Sequence, residues 1–200
     1  DLVNWGGGWT DTPPHCNEKG GVVLNAAIKL KGIYPVQVCV RKLDSLHIEF
    51  ESQDIGVSGV VETVTEIQDC YNPYDSFALH KAALIACGII PQSGDGNLKE
   101  ILKKLGGGIY LSTQVVGIPK GSGLGTSSIL SAACVKAIFQ FLGKELDDSK
   151  ISEIVLCMEQ IMSTGGGWQD QIGGLTEGIK FIRSMPGIHQ QMDVEYVKMS

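Results

Sequence analysis

The stretch PKGSGLGTSS, residues 119–128, separates two patterns of different period. Upstream, IYLSTQVV (109–116) is rich in apolar and β-branched residues and reads as a strand; downstream, ILSAACVKAIFQFL (129–142) reads as an apolar helix. A strand, a glycine loop and a helix gather several backbone N–H groups and the positive end of a helix dipole around one small volume, which suits a phosphate. Gly121, Gly123 and Gly125 let the backbone approach closely, and Thr126, Ser127 and Ser128 add three hydroxyls at the helix start. The candidate phosphate-binding residues are Lys120, Gly121, Ser122, Gly123, Leu124, Gly125, Thr126, Ser127 and Ser128. A Walker loop is excluded, because no lysine follows the glycines. A dinucleotide fingerprint would want Gly or Ala where Thr126 stands, and the HRD and DFG triplets of a protein kinase are absent. Plain turn glycines remain the alternative reading.

Glycine accounts for 26 of the 200 residues, roughly twice the ordinary share. Two further clusters hold much of the excess. GGGWTDTPPH (6–15) sets Asp11 behind Gly6, Gly7, Gly8 and Trp9, and STGGGWQDQIGG (163–174) sets Asp170 behind Gly165, Gly166, Gly167 and Trp168. Their flanks share no pattern, so two loops converging on one site explain them better than an internal duplication. Each piece has a plainer reading. Trp9 and Trp168 could be core residues, and Asp11 and Asp170 could be turn formers; Glu159 could be a solvated helix carboxylate.

The formal net charge of -6, with both signs scattered, argues against a nucleic-acid surface. The longest apolar run, ALIACGII, is too short to span a bilayer, and a soluble, cytoplasmic protein is expected. Six cysteines without a CxxC pair are expected to be reduced thiols, and four histidines without ligand spacing make a structural zinc site unexpected.

Residues 22–53 read as three strands in an antiparallel meander, while 57–69 fit either a strand or an irregular excursion. A helix is expected from Asp75 with Asp75 or Ser76 as cap, then a short amphipathic helix, LKEILKKL, closed by Gly106. KISEIVLCMEQIM forms another helix, with Asp148 or Ser149 as cap. Strands, grouped helices and strands again make an α+β plan.

PKGSGLGTSS resembles the signature loop of the GHMP kinases, and GGWTDTPP (7–14) is similar to the sugar-binding motif of the L-fucokinases and, more loosely, the heptose-7-phosphate kinases. In order and spacing the chain resembles the kinase part of plant bifunctional fucokinase/GDP-fucose pyrophosphorylases. The resemblance implies ATP and Mg²⁺ as cofactors, L-fucose as small-molecule substrate, and a fused pyrophosphorylase in the complete protein. It implies that Ser127 and Glu159 hold Mg²⁺ and that Asp170, eleven residues beyond Glu159, is catalytic. Trp9, Asp11, Gly166 and Gly167 are the implied sugar-binding residues, tryptophan offering an apolar wall to a sugar face. The implied fold is a ribosomal protein S5 domain 2-like N-terminal domain over 1–164, with 165–200 the beginning of a second α+β domain.

The pattern departs from the family at Leu2, where an Arg or Lys is usual, and in lacking a third, GAGGGG-like cluster. A fragment is expected on that ground. Besides L-fucose phosphorylation at the anomeric hydroxyl, the sequence leaves open another sugar kinase, of heptose or galactose type, and a non-catalytic sugar- or nucleotide-binding module.

Overall fold

A computed structural model describes residues 2–6, 10–27, 34–72, 74–119, 125–162, 177–186 and 192–197. Within them lie strands β1 (Leu2–Gly6), β2 (Gly21–Ala27), β3 (Val36–Leu43), β4 (Ile48–Ser52), β5 (Val57–Val61), β6 (Gly108–Val115), β7 (Gly178–Ser184) and β8 (Met192–Tyr196). The helices are α1 (His15–Lys19), α2 (Val64–Gln68), α3 (Ala78–Ala86), α4 (Leu98–Leu105), α5 (Thr126–Phe141) and α6 (Asp148–Ile161). The strands form two four-stranded sheets, one ordered β1-β2-β7-β8 and the other β3-β6-β4-β5.

The expected meander over 22–53 does not form. β2 pairs with β1 and β7 in the first sheet, β3 belongs to the second, and β6 lies between β3 and β4, antiparallel to one and parallel to the other. The reason is burial: β6 carries Ile109 and Leu111, both without exposed surface, and a strand this apolar takes a central position with partners on both edges. Glycine makes the insertion possible. A Cβ at Gly108 would stand 2.2 Å from the Ser45 carbonyl oxygen and 2.3 Å from that of His47. The preceding Gly106 caps α4 in the left-handed region at φ 86°, as its place after an amphipathic helix implies.

Residues 57–69 resolve into β5 and the short α2, whose Thr63 and Glu66 form a reciprocal capping box. Asp75 does not cap α3 directly; its Oδ1 accepts the Phe77 N–H at 2.8 Å and its other oxygen pairs with Lys81. α6 is capped by Asp147, one residue ahead of the expected Asp148, through a 2.7 Å bond from the Lys150 N–H.

The main core lies between the second sheet and its helices, with Ile48, Phe50, Ile109 and Leu111 facing Leu84, Val135, Ile138, Val155 and Met158. On the first sheet Val23 and Ile182 pack against Leu156 of α6. That helix therefore serves both sheets. The six cysteines are thiols outside any disulfide, and burial alone pushes the Cys87 thiol up to about 12. Among the described residues, no helix is long and apolar enough to cross a membrane.

His80 is a buried polar residue beside the main core. Its Nε2 lies 3.2 Å from the Glu51 carbonyl and 3.1 Å from Thr113 Oγ1, and its ring packs on Phe50 and Phe77. Because a carbonyl can only accept, Nε2 carries the proton of the neutral ring. Burial lowers its pKa to about 4, with only partial opposition from the Glu51 carbonyl bond and from Asp75 and Asp54.

Two outcomes are expected. Gly108→Ala should lose roughly 2–3 kcal/mol through backbone overlap, read from urea unfolding. The unfolded chain protonates His80 at about 6.5 and the folded chain only near 4, so the neutral ring's contribution is complete above pH 6.5. As pH falls from 6.5 to 4 it should cost about 3 kcal/mol, and unfolding curves of His80→Leu should lack this component of the pH dependence.

Candidate functional site

β6 ends at Val115 and α5 begins at Thr126, so strand, glycine-rich sequence and helix succeed one another in the expected order. Gly125 is the N-cap residue of α5 and adopts φ 68°, ψ 17°, the left-handed region that an L side chain resists. Its carbonyl accepts the Ile129 N–H at 3.1 Å. Thr126 Oγ1 is buried and has no hydrogen-bond partner among the described residues.

Of the two serines after it, Ser127 is exposed and Ser128 is buried. Ser128 Oγ donates to Glu159 Oε1 at 2.8 Å, joining the first turn of α5 to the last turns of α6. Consecutive helix residues diverge by about 100°. One serine therefore meets α6 while its neighbour looks outward, and the hydroxyl in contact with Glu159 is that of Ser128. Glu159 retains 8% of its surface exposed, which makes it a carboxylate held inside the helix layer rather than a solvated one.

Asp11 is buried to 1% exposure, and its charge is the second cause, after burial, of the raised thiol pKa of Cys16. The turn carrying Asp11 is fastened to β2 by its neighbour: Thr10 Oγ1 donates to the Val22 carbonyl at 2.9 Å and accepts the Val22 N–H at 3.0 Å. A second close approach holds the far end of this turn. A Cβ at Gly20 would meet the Ser184 carbonyl oxygen at 2.3 Å, and Ser184 Oγ accepts the Gly21 N–H at 2.9 Å. Trp9, Lys120, Gly121, Ser122, Gly123, Leu124, Gly166, Gly167 and Asp170 lie outside the described residues.

The chemistry of the donor set suits a hard divalent cation. Mg²⁺ takes oxygen ligands, needs only one or two carboxylates and keeps several waters. Glu159 offers a carboxylate anchored through one oxygen, and the neighbouring helix start offers hydroxyls. Among the described residues there is no group of three or more His, Cys, Asp or Glu that could hold a metal.

The two-sheet α+β frame is that of the GHMP kinase fold, and residues 96–178 match the family described as "GHMP kinases N terminal domain". The chain is 41% identical to the L-fucokinase/L-fucose-1-P guanylyltransferase of Bacteroides fragilis, over 98% of its own length and 22% of that protein's. It is 40% identical to the bifunctional fucokinase/GDP-fucose pyrophosphorylase of Arabidopsis thaliana, over 96% of its length and 17% of that protein's. The chain thus spans about a fifth of these relatives. Among solved structures, a D-glycero-D-manno-heptose 1-phosphate kinase from Bacteroides thetaiotaomicron superposes with a TM-score of 0.73 at 21% identity, covering all of this chain and 58% of that one.

Ser128→Ala should leave the Glu159 carboxylate short of a buried donor and destabilise the protein by about 1–3 kcal/mol in urea unfolding. Ser127→Ala, at an exposed position, should change stability by about 0.5 kcal/mol or less.

Proposed function

We propose that the complete protein is an ATP-dependent sugar-1-kinase that phosphorylates the anomeric hydroxyl of L-fucose, giving L-fucose 1-phosphate for GDP-fucose salvage. The observation that carries this reading is similarity of about 40% along nearly the whole chain to two proteins named as fucokinases, with the GGWTDTPP and WQDQ segments intact. Those names also support a fused guanylyltransferase or pyrophosphorylase in the complete protein, and reduced thiols suit a cytoplasmic setting.

Phosphoryl transfer asks little covalent chemistry of the protein and much positioning. Residues 120–128 would hold the nucleotide phosphates through backbone N–H groups, hydroxyls and the α5 dipole. Glu159 and Ser127 would hold Mg²⁺, which when bound neutralises charge on those phosphates. Ser128 fixes one Glu159 oxygen and so sets the direction of the other. Asp11, Trp9, Gly166 and Gly167 would orient the sugar. Asp170 would take the proton of the anomeric hydroxyl as its oxygen bonds to the γ-phosphorus, the bond to the β-phosphate oxygen breaks, and ADP leaves. A general base of this kind is worth ~10²–10⁴ in rate.

Leu2 favours a second reading, a module that binds sugar and nucleotide without transfer. ADP release coupled to sugar addition separates the two in the full-length protein. Turnover is expected with L-fucose above heptose and galactose, and Asp170→Asn should reduce it at least a hundredfold. Full turnover in that variant removes Asp170 from the mechanism. Calorimetric binding of ATP and fucose with no product establishes the binding module instead.

A further inference from the structure

Helices α3, α4 and α6 border a cavity of about 630 Å³. Its size falls within the roughly 300–1,000 Å³ of small-molecule sites. The floor is aliphatic: Ile85 of α3, Ile89 just beyond that helix, Ile101 of α4 and Ile161 of α6 line it and belong to or pack against the main core. The mouth is charged, with the exposed side chains of Asp95, Glu100 and Lys104.

The wall is built before any ligand arrives. The chain between α3 and α4 is pinned by Gln68, whose Nε2 donates to the Pro91 and Gly94 carbonyls at 3.1 Å each. Asn97 caps α4, its Oδ1 accepting the Glu100 N–H at 3.3 Å. A Cβ at Gly96 would stand 3.1 Å from a Val64 methyl, so this loop lies close against α2. On the far wall Cys157 and Ile161, one turn apart, bring α6 to the cavity. Glu159 lies about 200° around that helix from each of them and meets Ser128 instead. Cavity and serine–carboxylate contact therefore stand on opposite sides of α6.

The charges at the mouth decide the ligand. Among the described residues, Asp95, Glu100 and Lys104 take part in no ion pair, although Glu100 and Lys104 stand one helical turn apart. Two carboxylates against one ammonium make the mouth acidic, which disfavours phosphates and carboxylates and favours a cation. The isoleucines beneath suit an apolar body. We propose that this cavity is a binding site for a small organic ammonium ion with an apolar body, separate from the site of the nucleotide and sugar. The assignment does not depend on the kinase reading.

The test is titration calorimetry on the full-length protein with 4-phenylbutylamine, whose body and charge match the floor and the mouth. Its counterpart is 4-phenylbutanoate, with the same body and the opposite charge. The amine is expected to bind saturably and at least about tenfold more tightly than the carboxylate. Asp95→Asn combined with Glu100→Gln should weaken the amine about fivefold at an unchanged melting temperature, since both side chains are exposed and unpaired. Cys157→Trp, which fills the cavity from α6, should abolish binding, and saturating ATP should leave the affinity within about twofold. No saturable binding of the amine, equal binding of the carboxylate, or full affinity retained in either folded variant overturns the proposal. Displacement of the amine by ATP does the same. A protein that binds the amine in this way but shows no sugar-dependent ADP release overturns the kinase reading and leaves this site standing.

Discussion

Strand β6 is hydrogen-bonded along both edges, antiparallel to β3 and parallel to β4, and the domain is arranged to keep it covered. Ile109 and Leu111 turn one face to the helices, while Tyr110 on the other donates its hydroxyl to Glu51 and lies under the Arg41 guanidinium at 4.2 Å. A strand held this way has a fixed direction and a fixed end. That end leads toward the stretch in which the sequence points to a phosphate loop, so backbone pairing sets where the chain leaves the sheet.

The second constraint is the interlock of α5 with α6. Both helices are long and apolar on the side they share, and the Ser128–Glu159 bond is the polar contact between them at the end nearest the glycine segment. A neutral donor to a charged acceptor inside a low-dielectric layer is stronger than its exposed counterpart. It also fixes a rotation: with Ser128 turned inward, Thr126 and Ser127 are distributed around the helix start. Thr126 Oγ1 is buried without a partner among the described residues, and a hydroxyl so placed is a donor of the kind that a phosphate oxygen engages.

Most single elements were legible in the sequence, because each rests on local periodicity or on a local stop. α4 with its Gly106 cap, β6 and α5 are local signals of this kind. What could not be read is which strands pair. An alternating run such as VQVCVRKL offers two edges and does not say whose they are; the partner of β3 is β6, some seventy positions away, because β6 is the more apolar strand and takes the centre. Helix rotation was equally silent at Ser127 and Ser128, since adjacent hydroxyls differ only in the face they reach. The burial of Lys180 could not be read either, because GIKFIRS is a strand whose apolar positions alternate in either register. A one-residue slip exchanges the faces. Only the pairing of β7 with β2 determines that Lys180, Ile182 and Ser184 point inward while Phe181 and Arg183 do not.

The joining of Gly21 to Ser184 spans 163 positions. The second sheet and its helices draw on residues from Val36 to Ile161, so they can assemble as soon as that length has left the ribosome. The first sheet cannot. β2 is synthesised early yet pairs on one side with β7, so the Asp11 turn waits on a partner made much later, and loop closure of that length slows its capture. During translation the first sheet is therefore the later of the two to close, and β2 keeps one edge unpaired until β7 arrives.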